Sequence, residues 1–495
     1  MIVRTEIPAD EIEKQKAIMR RVLAVSEARP APPMAYVDTY GCQQNEADSE
    51  KLRGMLAGMG YGFTDDEFKA DVIVINTCAI RENAQNRVLG NIGALIHAKK
   101  AKPSQIIVFC GCLAGVPETV EKIRRSYIHV DLVFAPNALW RFPELLYRKL
   151  SSKGRIFDGG GGDGAIDEGL PVYRAGNVKA WLPIMYGCDN YCSYCIVPYV
   201  RGRERSRRPD EILDEARQLI ADGYKDITLL GQNVNSYGAG LDAGIDFAAL
   251  IRRINDIEGD FLIRFMTSHP KDASIGLFRA MAESEKAAHH IHLPFQSGSD
   301  RVLRGMHRGY TSAEYLEKTE TARAYMPDIV ITSDVIVGFP GETDEDFEDT
   351  MRLVEKARFD AMFTFIYSKR PGTPASELPD TSTREEKQVR FDRLLNTQNA
   401  VSEEKHSRYI GKTVRVLIDE DSRDERYPLK ARTNGGRLVH LPAGAGLVGS
   451  FIDAVITRCN SWSLFGEGLA GAICLSASPG VGGQETGIAF GSGRP

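Results

Sequence analysis

No apolar run in the sequence approaches the about 18 residues that a membrane-spanning helix needs. The opening stretch, MIVRTEIPADEIEKQK, is charged where a secretory signal needs an apolar centre. These absences predict a cytoplasmic protein with no membrane partner. The chain also lacks a large charge of either sign: 62 Lys and Arg stand against 67 Asp and Glu, a formal net charge of −5. No global field therefore draws in a nucleic acid, and any such contact must come from local basic patches. Cysteine is scarce, with 9 among 495 residues. In a reducing compartment those nine are ligands or free thiols rather than disulfides. What is present, 43% hydrophobic and 26% charged residues, is the composition of a soluble globular protein. The length exceeds a single core and predicts two to four domains.

Residues 1–34 are polar, end in Pro30, Pro32 and Pro33, and read as an extension with one helix. From residue 35 to 150 strand and helix patterns alternate. MAYVDTY, DVIVIN and QIIVFC are short apolar runs suited to buried parallel strands. Between the first two, Leu52, Met55, Leu56 and Met59 fall at helical spacing. This predicts an open α/β sheet domain. The segment 151–174, with DGGGGDGAIDEG, reads as a glycine-rich linker. From 175 to 404 six β/α units follow, through AWLPIMY, DITLL, LIRFMT, HIHLPF, IVITSDVIV and AMFTFIY. They predict a partial (β/α)6 TIM-like barrel. Residues 405–470 hold short strands with Gly, Asn and Pro turns and read as a small all-β domain. It is mildly basic, with ten Lys and Arg against seven Asp and Glu. The Gly/Ser-rich stretch 471–495 reads as a disordered tail.

The densest chemistry is GCDNYCSYC, with Cys188, Cys192 and Cys195 just beyond the first strand of the barrel-like domain. Active sites of such folds lie at that face. Three thiolates can hold three irons of a 4Fe-4S cube. The fourth iron is then open to chelate S-adenosylmethionine (SAM), as in radical SAM enzymes. The competing reading, structural zinc, wants a fourth ligand, and no His or Cys stands close by in sequence. Cys42, Cys78 and Cys112 each follow a strand pattern (YVDTYGC, VIVINTC, IVFCGC), and parallel strand ends share one edge of an open sheet. Spacing alone leaves both readings open, a second cluster or three buried free thiols. Cys110 reads as a core cysteine, and Cys459 and Cys474 have no partner pattern.

Longer motifs are specific. TYGCQQNEADSE, INTCAIRENAQNRV, CGC, GCDNYCSYCIVPYVRGRERSR, LLGQNVNSY, HLPFQSGSDRVLRGMHRGYT, DVIVGFPGETDEDF and FIYSKRPGTPA resemble the radical SAM methylthiotransferases. LKARTNGGRLVHLP and SLFGE resemble a TRAM domain, a small RNA-binding β-barrel. The likeness spans residues 36 to 470. GCQQN and NTCAIRENAQNRV are similar to the MiaB-type branch, which makes the 2-methylthio form of N6-isopentenyl(dimethylallyl)adenosine beside the tRNA anticodon. The resemblance implies two 4Fe-4S clusters, the second held by Cys42, Cys78 and Cys112. It implies SAM as both methyl donor and source of a 5′-deoxyadenosyl radical that takes hydrogen from C2 of the adenine. It also implies tRNA as partner, an electron donor such as flavodoxin or ferredoxin, and a monomer. Gly435 and Gly436 stand where the family more often has Asn and Arg, which weakens the RNA contact inferred there. Three other readings remain: methylthiolation of threonylcarbamoyl-adenosine, methylthiolation of a ribosomal-protein aspartate, and a non-catalytic metal-stapled RNA-binding protein.

For SAM itself, Gly231, Gln232 and Asn233 follow the second barrel strand and are assigned to the methionine part. Ser333, Asp334 and Gly338 are assigned near the adenosine half, and Gln296 and Ser297 after HLPF are similar cases. For each of these an ordinary turn or barrel packing competes. RGRERSRR (201–208) carries five arginines and one glutamate, and reads either as a solvated face or as a phosphate contact beside the active site. His269, His292 and His307 are given no role.

Overall fold

The computed structural model describes residues 6–79, 82–161, 164–174, 176–241 and 244–469. The expected disordered tail and Cys474 lie outside the described residues. The first sheet holds β1 (Met34–Thr39), β2 (Gly62–Phe63), β3 (Val72–Thr77), β4 (Ile106–Gly111), β5 (Leu132–Phe134) and β6 (Ile156–Asp158). They run parallel in the order β2-β1-β3-β4-β5-β6. β3 and β4 are buried along their whole length, because helices cover both faces. On one side Met19 and Val22 of helix Ala9–Glu27 pack with Leu52, Met55 and Leu56 of helix Gln43–Gly58 and Leu145 of helix Phe142–Leu150. On the other, Val88, Ile92 and Ile123 close the layer.

Two segments differ from their expected character. The extension is tied down, since helix Ala9–Glu27 belongs to this core and Glu6 bridges to Ile166. The glycine-rich segment contributes β6 as the sixth strand and buries Ile166 and Leu170. Its glycines mark turns, but the apolar residues among them have a sheet edge and a core to fill.

Strands β7 (Lys179–Pro183), β10 (Asp226–Leu230) and β11 (Leu262–Met266) form one parallel sheet, and β12 (His290–His292), β13 (Val330–Val337) and β14 (Ala361–Ile366) another. A bridge between Ile263 and Ala287 joins them, so six β/α units make an open barrel. Leu182, Ile227, Ile263, Ile291, Ile331 and Val335 point to the helix layer. The alternate positions carry Trp181, Thr228, Arg264, His292, Thr332 and Asp334 and give the barrel a polar lumen, as period-2 alternation requires. Two short strands, β8 (Met185–Tyr186) and β9 (Arg205–Ser206), pair antiparallel and clasp the loop between them.

The last unit is a closed barrel of β15 (Thr413–Asp421), β16 (Leu429–Thr433), β17 (Leu438–Leu441), β18 (Phe451–Cys459) and β19 (Leu464–Gly468), in the order β15-β16-β17-β19-β18. Val416, Ile418, Ala431, Val439, Ile456 and Leu464 fill it. It seats on the N-terminal rim of the larger barrel, opposite the catalytic face of such folds. Arg264, paired with Asp226 at 2.9 Å, donates to the carbonyls of Asn434 (2.7 Å) and Thr433 (3.0 Å). Buried Asp360 pairs with Lys405 at 2.9 Å and with Arg437. The NGG turn, expected to face RNA, is thus part of this docking surface. A Cβ on Gly435 would stand 2.4 Å from Val330 Cγ2, so a larger residue there requires Val330 to shift.

Candidate iron–sulfur and SAM site

Cys42, Cys78 and Cys112 follow β1, β3 and β4, three neighbouring parallel strands, at the same edge of the sheet. Thr77 pairs with Gly111, so Cys78 and Cys112 are the next residues on adjacent strands. A Cβ on Gly41 would lie 2.8 Å from the Cβ of Cys78, which brings the Cys42 turn onto the same spot. Cys110 turns into the core and is 1% exposed.

Cys188, Cys192 and Cys195 occupy the loop clasped by β8 and β9 at the C-terminal mouth of the barrel. Gly187 allows the turn into it: its φ is +77°, and a Cβ there would stand 2.0 Å from the Arg203 carbonyl oxygen. Ser193 is held by Gly305 O (2.8 Å) through its hydroxyl and by Met306 O (3.1 Å) through its N–H. Burial pushes the Cys188 thiol up to about 11; burial, with the neighbouring Cys192, pushes Cys195 up to about 12.

The helix that follows the Cys188–Cys195 loop reaches the other trio across the domain seam. Arg201, at the end of helix Val197–Arg201, is buried; its Nε donates to Cys112 Sγ at 3.3 Å and its Nη2 to Asp48 Oδ2 at 2.8 Å. Arg308, equally buried, donates to Cys192 Sγ at 3.4 Å and to Pro294 O at 2.7 Å. Asn190 donates to Cys188 Sγ at 3.5 Å. N–H groups aimed at sulfur stabilise a thiolate, as ligands of an iron–sulfur cluster require. Among the described residues no group of three or more His, Cys, Asp or Glu side chains closes on a single point. A four-iron cube takes each thiolate at a different corner, and each trio offers three sulfurs with N–H donors beside them.

Comparison with known proteins agrees with this layout. Residues 34–135 match the Uncharacterized protein family UPF0004, residues 182–354 the Radical SAM superfamily, and residues 407–469 the TRAM domain. A tRNA-2-methylthio-N(6)-dimethylallyladenosine synthase of Acetivibrio thermocellus is 49% identical over 431 residues, covering 87% of this chain and 90% of the relative. One from a Thermoanaerobacter species is 46% identical over 461 residues, covering 93% and 98%. The chain belongs to the tRNA-2-methylthio-N(6)-dimethylallyladenosine synthases. In fold, the chain is also similar to a radical S-adenosylmethionine methyltransferase, TsrM, from Kitasatospora setae. That match has a TM-score of 0.53 at 14% identity, over 70% of this chain and 75% of the other. Membership of a radical SAM family implies SAM and a 4Fe-4S cluster.

Within this synthase fold the residues assigned to SAM divide. Gln232 sits at the mouth, where it accepts from the Gly187 N–H and donates to Gln44 at 3.5 Å. Asp334 faces the lumen, 3.4 Å from His292. Gln296 adopts a left-handed φ of +67° at a strand end, a strained backbone for a non-glycine residue. Asn233 already donates to Asp272 (2.7 Å) and Ser236 (3.0 Å) and accepts from the His269 N–H, so it shapes the turn. Ser333 and Ser297 are fully buried in the protein's own bonds, to Leu293 O (2.7 Å) and the Ser299 N–H (3.2 Å) respectively. Ser333 therefore faces the helix layer and not the lumen, a correction that strand alternation explains. Gly231 is needed because a Cβ would meet Met185 Cγ at 2.5 Å, and Gly338 because one would meet Lys387 Cγ at 2.5 Å. At both positions the lack of a side chain serves packing.

The arginine run also resolves differently. Arg201, Arg205 and Arg207 are buried, while Arg203 and Arg208 are exposed. Arg207 pairs with Glu168 (2.6 Å) and Glu215 (2.8 Å), so Arg201 and Arg207 of the run dock neighbouring segments. Arg201 and Arg308 contact sulfur, which local pattern did not disclose; both lie in the quoted motifs, but only the fold puts sulfur beside them.

Proposed function

We propose that this protein methylthiolates C2 of N6-isopentenyl(dimethylallyl)adenosine beside the tRNA anticodon, using SAM and two 4Fe-4S clusters. Cys188, Cys192 and Cys195 would hold the radical cluster, and Cys42, Cys78 and Cys112 the second. When bound, these groups supply the one-electron cleavage of SAM and the methylthio sulfur.

The observation that carries the reading is the seam itself. Arg201 sits six residues beyond Cys195 and donates to Cys112 of the other trio, so a base entering there meets both sulfur sites. Arg201, Arg308 and Asn190 hold sulfur lone pairs in N–H contacts. Gln232 ties the barrel mouth to Gln44 on the helix that begins beside Cys42. Gln232, Asp334 and Gln296 remain the candidates for contact with SAM. A cytoplasmic setting, a monomeric chain, and an electron donor such as flavodoxin or ferredoxin belong to this reading. No helix among the described residues is long and apolar enough to cross a membrane.

The test is the nucleoside profile of tRNA from cells lacking the protein. Isopentenyladenosine without its methylthio group is the expected result, and persistence of the methylthio form at normal levels would overturn the assignment. Iron near eight atoms per chain in the anaerobically reconstituted protein is the second expected result.

A further inference from the structure

Most large apolar side chains left in the open are scattered singly. Tyr191 and Tyr199 are an exception, at 41% and 49% exposed, because their rings touch edge to face with centroids 5.9 Å apart and planes at 84°. Tyr191 stands between Cys188 and Cys192, and its φ of +44° is left-handed, a backbone that costs a non-glycine residue energy. Tyr199 lies on helix Val197–Arg201, which starts directly after the cysteine loop. Its neighbours Pro198, Val200 and Arg201 are buried against the N-terminal domain, and Arg201 reaches Cys112. The two rings therefore mark the solvent side of the short helix that joins the two sulfur sites. Exposed Arg208 follows within the same stretch, as does Arg203, whose guanidinium is held by Asp189 at 2.9 and 3.0 Å.

A pair of exposed rings at an active-site mouth, with an exposed arginine, Arg208, a few residues on in sequence, has the chemistry of a single-stranded nucleic-acid platform. Every base offers a π-face to stack on, and the cations answer the phosphates. We infer that Tyr191 and Tyr199 stack an unpaired base of the RNA substrate, a nucleotide flanking the one that enters between the cysteine trios. The inference rests on the RNA reading above and adds to it a subsite. The reacting adenosine goes to the seam, and its neighbour is splayed onto the tyrosines. That arrangement demands an unpaired loop, since a paired base offers no free face.

The experiment uses the reconstituted holoenzyme and two RNAs, an anticodon stem-loop and the same sequence closed into a duplex. Tyr199→Ala and the Tyr191→Ala/Tyr199→Ala double variant are expected to bind the stem-loop about 5- to 100-fold more weakly, the loss typical of one stacked base. Tyr199→Leu, which keeps apolar area but no π-face, should behave like Tyr199→Ala, and Tyr199→Phe like wild type. Formation of 5′-deoxyadenosine without RNA, driven by dithionite, should be unchanged in Tyr199→Ala, which separates lost stacking from a damaged cluster loop. Equal stem-loop affinity in wild type and the double variant would overturn the proposal. So would a wild-type enzyme that binds duplex as well as loop. If RNA affinity holds but reduction by flavodoxin slows, the pair is a docking face for the electron donor and the RNA platform falls. Failure of the substrate reading shows separately, as wild-type protein that leaves isopentenyladenosine unmodified.

Discussion

Arg201 is joined to Asp48 across 153 positions of sequence, which is why the arginine run read as a solvated face or a phosphate contact and not as a partner of sulfur. The cysteines were different, because strand-end placement and tight spacing are local. Their roles separate by substitution. Cys188→Ala, Cys192→Ala or Cys195→Ala is expected to abolish 5′-deoxyadenosine formation. Cys42→Ala, Cys78→Ala or Cys112→Ala should leave it and yield no methylthio product. Iron should fall by about half in either set. Anaerobic turnover that counts the two products separately checks this, and normal product from Cys78→Ala would sink the second site. Cys110→Ala should retain both activities, since its sulfur lies in the core. A pH effect also belongs at this scale. Burial, with Arg264 and His292 beside it, lowers His290 to about 3. An unfolded histidine takes a proton near pH 6.5, so below that the unfolded chain binds more protons than the folded one. Stability from this residue is full above pH 6.5 and is lost as pH falls toward 3, by up to about 1.4 kcal/mol per pH unit. His290→Gln should flatten the denaturation midpoint between pH 6.5 and 4; an unchanged slope would count against a buried neutral ring.

At the scale of elements, the strand-end turns carry the precision. Gly111 has a φ of +87°, and a Cβ there would stand 2.4 Å from the Thr77 carbonyl oxygen. Gly111→Ala must therefore strain or shift the turn that aims Cys112, at a cost of about 1–3 kcal/mol. Reconstitution should show iron lost from the second site with 5′-deoxyadenosine formation kept; full iron content would mean the turn tolerates the methyl. The strands β3 and β4 were legible because their apolar runs admit only a buried parallel strand. β6 was not, because three residues among glycines carry too little periodicity and become a strand only against the free edge of β5.

At the scale of the molecule, the small β-barrel is part of the radical SAM domain's stability. Asp360, 4% exposed, accepts from the Ile331 N–H (2.9 Å), from Lys405 (2.9 Å) and from Arg437. Breaking a buried ion pair from one side costs about 3–5 kcal/mol, because the partner charge stays buried. Asp360→Ala should lower the denaturation midpoint strongly. Asp360→Asn should lower it less, since it still accepts from Ile331, and equal midpoints for all three proteins would refute the docking role. Deleting residues after 405 would accordingly expose the barrel floor as well as remove the TRAM domain.

The sequence by itself determined the α/β, barrel and small all-β units, the tight Cys188, Cys192 and Cys195 motif, and the family, because spacing, periodicity and motif are properties of neighbouring residues. The tertiary structure alone decided that the arginine run is mostly buried, that the NGG turn docks a barrel floor, and that Ser333 faces away from the lumen. Those outcomes depend on charge partners and packing surfaces brought together from distant parts of the chain, and burial is a property of the pair and not of either residue.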